Sequence, residues 1–177
     1  MKKLLVAAAI ACAAVVSQAA TVNWGISGVK AEGNTAPTAG WAVMAFYTDV
    51  GAGSAAIESA IKAGTAGSLA FETTTLSVAL GSGRVGAHDK DVAAIADTSK
   101  NYDMYFVVFN NADATKATEY AMVSDPNKAY SGMAGKFTAS GTFSASTPWQ
   151  TASVPEPTSG LLMLLGVAGL ALRRRRA

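Results

Sequence analysis

The chain has 177 residues, with 14 lysines and arginines against 12 aspartates and glutamates, one histidine, one cysteine and a formal net charge of +2. That inventory excludes multi-histidine zinc sites, thiolate metal sites and a disulfide framework, while half of the residues are hydrophobic, enough for a packed core. The basic balance comes from the two ends: without Lys2, Lys3, Arg173 to Arg176 and Glu156, 8 basic and 11 acidic residues remain, a net charge of about −3 with no nucleic-acid footprint.

Residues 1–19 read as a signal peptide. Lys2 and Lys3 form its basic start and Leu4 to Val16 an apolar signal helix. Ser17-Gln18-Ala19 then puts small residues at both positions a signal peptidase inspects, which predicts cleavage between Ala19 and Ala20. The apolar run is too short for a comfortable retained span. Cys12, the one cysteine, lies inside it and leaves with it, and Ala9 stands where a lipobox prefers leucine.

Residues 20–144 carry the signals of a β-rich extracytoplasmic domain. Val22, Trp24 and Ile26 alternate with Asn23, Gly25 and Ser27, which predicts a half-buried strand. Lys30 to Gly40 reads as a loop, and Trp41 to Thr48 as a strand covered on both faces. One helix interrupts the pattern: Ser54 as N-cap, Ile57, Ala60 and Ile61 as an apolar stripe, Glu58 and Lys62 as a pair four apart, Gly64 as terminator. It is expected against the side or end of a sheet. Strand character returns from Ser68 to Leu80, with Leu69 and Phe71, then Leu76, Val78 and Leu80, as alternating apolar positions. Gly81 to Asp97 reads as a longer irregular connection with a helical turn at Val92 to Ala96. Tyr102 to Phe109 is the strongest core strand, Glu119 to Ser124 another, Asp125-Pro126-Asn127 a turn, and Lys136 to Phe143 the last strand. The expected fold is mainly β, a compact antiparallel sandwich or barrel of about six strands with one short helix.

Residues 145–158 are rich in Ser, Thr, Ala and Pro and read as a tether, with Trp149 free to dock on the domain or to sit at a membrane interface. The tether ends in Pro155-Glu156-Pro157, where each proline removes an N–H and biases its predecessor to extended backbone. Residues 159–172 are uncharged and leucine-rich, and a helix there would be roughly 21 Å long, a short transmembrane helix. Arg173, Arg174, Arg175 and Arg176 make residues 173–177 a basic, cytoplasmic stop-transfer end. The predicted topology is head outside, tail inside.

This order of Pro155-Glu156-Pro157, apolar run and Arg173 to Arg176 resembles the PEP-CTERM sorting signal of Gram-negative and related bacteria. The resemblance covers the last two dozen residues. It implies recognition by exosortase, a membrane-embedded cysteine transpeptidase acting near the motif, so that the catalytic residues belong to that partner. It further implies association with extracellular polysaccharide, which commonly accompanies that sorting system.

Motifs for chemistry within the domain are weak. Gly81-Ser82-Gly83-Arg84-Val85-Gly86 fits G-x-G-x-x-G but lacks the strand–turn–helix context of a dinucleotide site and reads as a flexible glycine turn. His88, Asp89 and Asp91 form the nearest thing to a reactive cluster and read as a solvated charged loop. No Gly-x-Ser-x-Gly supplies a nucleophile for His88, and Glu32, Glu58, Glu72 and Glu119 are scattered, with no pair singled out for glycoside hydrolysis. Trp24, Trp41, Tyr47, Tyr102, Tyr105, Tyr120 and Tyr130 include candidates for a sugar-stacking platform, although strand positions favour core packing for most.

The sequence therefore predicts a non-enzymatic, exported surface or extracellular-matrix protein, with no cofactor, no metal and no catalytic residue. Its expected partners are signal peptidase, an exosortase-type transpeptidase, the membrane and extracellular polysaccharide. A carbohydrate-binding module is the first alternative and a secreted hydrolase the second.

Overall fold

Alternating burial in the first strand and unbroken burial in the sixth define two different layers. The computed structural model describes residues 19–152. The expected signal peptide up to Gln18, the Pro-Glu-Pro motif, the apolar run and the arginine cluster lie outside the described residues. Strand β1 (Ala20–Val29) buries Val22, Trp24 and Ile26 and turns Asn23 and Ser27 outward, as the period of two requires for a sheet with one wet face. Strand β6 (Tyr102–Phe109) is buried at every position because its sheet is covered on both faces.

The remaining elements, in chain order, are β2 (Ala42–Asp49), α1 (Ala55–Lys62), β3 (Glu72–Thr75), β4 (Ser77–Ala79), β5 (Ser82–Val92), β7 (Glu119–Lys128), β8 (Tyr130–Ser131), β9 (Lys136–Thr142) and β10 (Trp149–Thr151). One sheet runs β4-β5-β1-β9-β8 and the other β10-β7-β6-β2-β3. They face one another as a sandwich. The arrangement is not wholly antiparallel: β1 and β9 pair in parallel, Thr21 against Lys136 through Ser27 against Thr142. The first strand of the domain thus pairs with β9 in the middle of one sheet, a pairing that side-chain alternation does not encode.

Between the sheets Trp24 stacks on Phe106, centroids 5.5 Å apart and planes at 17°, while Tyr102 and Tyr130 set their edges against Phe137. The outer face of the second sheet offers Met44, Phe46, Tyr105, Val107, Phe109 and Tyr120 to a second apolar cluster. Helix α1 covers that face with Ile57, Ala60 and Ile61, each burial worth up to about 1.5–3 kcal/mol for the larger side chains. It lies on the face of the sheet and not at its side or end, because Met44, Phe46 and Val107 would otherwise stay wet. Gly64, at φ +71°, ends the helix: its N–H donates to Ile61 O and that of Thr65 to Ala60 O, a Schellman arrangement. Ser54 precedes the helix, but its hydroxyl donates to the Glu58 carboxylate at 2.6 Å and makes no backbone cap.

Four further expectations need correction. Residues 82–92 are not an irregular connection but the eleven-residue strand β5; at its end Ile95 N–H donates to Val92 O at 3.1 Å, a single hydrogen-bonded turn where one helical turn was expected from Val92 to Ala96. Of the expected glycine turn only Gly81 turns: Leu80 and Gly81, at φ +51° and +70°, form the two-residue hairpin joining β4 to β5, which leaves Leu80 fully exposed, and Ser82 to Gly86 belong to β5. Ala66–Ser68 is a 3-10 turn and Leu69 is half exposed, so strand structure begins only at Glu72. Asp125-Pro126-Asn127 lies within β7 as an irregularity in its pairing with β6 and does not end the strand. There the buried Asp103 carboxylate accepts the N–H of Asn127 at 2.8 Å and that of Gly51 at 3.0 Å, holding a positive-φ residue in the ladder.

Candidate functional site

The sole histidine sits on the inner side of β5, opposite Trp24 of β1, where the sheets meet β3. Its Nδ1 lies 3.0 Å from Gly86 O and its Nε2 3.1 Å from Glu72 Oε2. Trp24 Nε1 donates to the same carboxylate oxygen at 2.6 Å. Which ring nitrogen donates depends on the tautomer, and the geometry places each of them against one oxygen acceptor. Neither nitrogen faces a serine hydroxyl. Glu72, from the second sheet, therefore clasps Trp24 and His88 of the first, contacts across 48 and 16 residues respectively that sequence separation hid.

Asp89 and Asp91 point the other way, because neighbours on a strand alternate faces. Asp89 accepts from Asn23 at 2.6 Å and from Lys136 at 3.0 Å, and these two contacts, Asn23 first, hold its carboxyl below the ordinary aspartate value of 3.8. Asp91 accepts from Thr21 at 2.6 Å. The expected loop cluster is thus two separate strand-face networks. The glutamates are likewise dispersed: Glu58 is bound by Ser54, Glu72 by Trp24 and His88, Glu119 by Asn110. Among the described residues no group of three His, Cys, Asp or Glu side chains gathers as a metal site.

Of the aromatic residues, Trp24, Tyr102, Tyr105 and Tyr120 are core, whereas Trp41, Tyr47 and Tyr130 are half-buried against it. Trp149 docks on the domain. It opens the edge strand β10 opposite Ala121, its indole N–H donates to Lys30 O at 3.0 Å, and its ring meets the edge of Trp41 at 5.6 Å and 76°. It also forms one wall of a polar cleft of about 270 Å³ between Lys30–Asn34 and Ser144–Pro148. A larger open groove of about 550 Å³ lies beside α1, floored by Ala42 and Met44 and rimmed by Thr65, Ser68 and Asp113.

Strand β10 carries the chain to the edge of the domain. Ala152 is buried and donates its N–H to Thr118 O at 2.8 Å, so the fold holds the chain to the last residue described. The next residue begins the match to a known family: residues 153–176 fit the model described as the PEP-CTERM protein-sorting motif. The chain ends in a PEP-CTERM motif. Pro155, Glu156, Pro157 and Arg173 to Arg176 all fall inside the matched range, and only Ser153 and Val154 separate Ala152 from Pro155. No match to the chain was found among curated proteins or among solved structures. The PEP-CTERM motif supports exosortase-dependent sorting of an exported surface protein, associated with the membrane through its C-terminus. Among the described residues no helix is long and apolar enough to cross a membrane. At the other end Ala19 is exposed, while Ala20 is buried and donates its N–H to Ile95 O at 3.2 Å, so the residue expected to begin the mature chain is the first residue of β1.

Proposed function

We propose that this chain is a non-enzymatic component of the bacterial surface or extracellular matrix, cut by signal peptidase after Ala19, delivered by its PEP-CTERM motif to exosortase and associated with exopolysaccharide. The observation that carries the reading is the junction at Ala152, where a folded β domain passes without spacer into residues matching a sorting motif. A sandwich presented directly at the sorting signal suits a cargo whose surface is its function. The carboxylates of Glu58, Glu72 and Glu119 lie in separate contacts, and the one acid–histidine pair, Glu72 with His88, is joined by Trp24 and by no serine, which favours a binding or structural role over hydrolysis.

The association with polysaccharide is tested by fractionating the native cells beside an isogenic strain that makes no exopolysaccharide. In the first, the head is expected to co-purify with the polysaccharide; in the second, to appear free in the medium or at the cell surface. An identical distribution in both strains contradicts the association.

A further inference from the structure

We propose that the end of the sandwich carrying the Leu80–Gly81 turn rests on the lipid bilayer, with the Leu80 side chain inserted below the headgroups. Leucine is an unusual choice for that position. Both turn residues have positive φ, a backbone for which Asn-Gly is the ordinary pair and which leucine adopts only under steric strain. No burial offsets the strain, since the side chain is fully exposed. A single exposed leucine on an ordinary surface needs no explanation, but one held in strained backbone at a hairpin tip points to a contact outside the domain. The tip is also tied down: the Lys30 ammonium donates to Gly81 O at 2.7 Å.

Topology puts this tip where the chain leaves the domain. Strand β1 runs towards it, Val29 pairing with Gly83, and Lys30 O then accepts the Trp149 indole N–H at 3.0 Å. From Trp149, β10 runs to Thr151 opposite Glu119, at the start of β7. That start lies beside the end of β6 and the start of β2, the Asn110 N–H donating to Glu119 O and the Ala42 N–H to Asn111 O. The Gly40 N–H, donating to Leu76 O at 2.8 Å, joins the same end to β4, which leads to Leu80. Ala152 is the last residue described, and eight residues separate it from Leu161 in the apolar run. Fully extended, that connection reaches roughly 30 Å.

Met133 is the counterpart at the opposite end. It too is fully exposed at a hairpin tip, between β8 and β9, but β9 begins with Lys136 opposite Thr21, at the start of β1. The ten residues of β1 alone span about 33 Å. A connection of roughly 30 Å rooted at the Leu80 end brings Leu80 to the bilayer with slack, and would bring Met133 there only by lying stretched along the whole domain. So short a tether keeps the tip at high effective concentration beside the surface, so that burial of one leucine is enough to hold it. The charges around the tip are mixed, Lys30 and Arg84 against Glu32, and the apolar side chain rather than charge attraction sets the contact.

This contact rests on the reading that the tail holds the head at the membrane. The test is amide NMR of the chain from Ala20 to Ala177, which carries every described strand and the tail, in phosphatidylethanolamine–phosphatidylglycerol nanodiscs with and without nitroxide-labelled headgroups. The signals of Leu80 and Gly81 are expected to lose more than half of their intensity to the nitroxide, and those of Gly132 and Met133 to keep theirs. Leu80→Asn, which suits the backbone of the turn, should leave the melting temperature unchanged or higher and reduce the loss at Gly81 at least twofold. Equal losses at the two tips, no loss at either, or an undiminished loss at Gly81 in Leu80→Asn overturns the proposal, while co-elution of chain and nanodisc leaves the tail's role standing. Concentration-dependent shifts at Leu80 that persist without lipid would assign the tip to a second copy of the chain and overturn it as well. A chain that does not co-elute with the nanodiscs overturns the reading of the tail itself, and this contact with it.

Discussion

Truncation after Ala152 is expected to remove the head from the membrane fraction almost completely while leaving its fold intact. Among the described residues every strand, the helix and both apolar clusters lie within residues 20–152, so the truncation removes none of that packing. What is lost is the whole PEP-CTERM match at residues 153–176, with its apolar run and Arg173 to Arg176. Among the described residues no helix can replace that run in a bilayer. Fractionation of cells expressing the truncated and full-length chains should show the former outside the membrane with a melting temperature within a degree or two of the processed wild-type head. Undiminished membrane association of the truncated chain would place the anchor elsewhere, with an uncleaved N-terminal segment the first place to look.

The largest effect on folding is expected from one methyl group. Gly28 has φ +77°, and a Cβ there would come within 2.2 Å of the Phe143 carbonyl oxygen. That oxygen belongs to backbone that cannot rotate aside, since the Phe143 N–H is bound to Ser27 O at 2.9 Å where β1 and β9 run out together. Gly28→Ala therefore adds left-handed strain of about 1–2 kcal/mol to overpacking of about 1–3 kcal/mol, together a large part of the 5–15 kcal/mol that such a domain has. Gly86→Ala is the matched control: it lies on β5, its φ is not in the left-handed range, and nothing lies within 4 Å of the added atom. Thermal unfolding should show Gly28→Ala melting at least 10 °C lower or failing to fold, and Gly86→Ala within about 2 °C of wild type. Equal melting temperatures for the two variants would contradict the parallel pairing of β1 with β9.

The particular residues explain what could be read in advance. Val22, Trp24 and Ile26 alternate because β1 has one dry face, and Tyr102 to Phe109 are apolar or aromatic almost throughout because β6 has two, so both strands were legible from local pattern. Strand β5 was not. Its inward residues are Val92 and His88 on one side of a register shift and Val85 and Gly83 on the other, since the pairing moves from Trp24 opposite His88 to Ile26 opposite Val85. The extra residue reverses the parity of the alternation, and Arg84, Asp89, Lys90 and Asp91 then make a strand resemble a charged loop. Asn127 hid the end of β7 in the same way, its positive φ being held by Asp103 from a neighbouring strand.

The candidate sites divide along the same line. The tail was legible because all its signals are contiguous: two prolines around Glu156, an uncharged run, four arginines. The clasp of Glu72 on Trp24 and His88 joins three strands of two sheets, and the wall of Trp149 against Trp41 and Lys30 joins loops more than 100 residues apart, so neither leaves a local trace. Trp149 did stand out as a large aromatic in a stretch of Ser, Thr and Ala, which was the one available hint that the domain extends beyond Ser144.

The most direct test of the account is the intact mass of the protein recovered from its native cells, taken separately from membrane and medium. A species beginning at Ala20 and ending close to Pro155 is the predicted result, the whole sandwich including β10 with both targeting ends removed. A species running from Met1 to Ala177 in every fraction would contradict it.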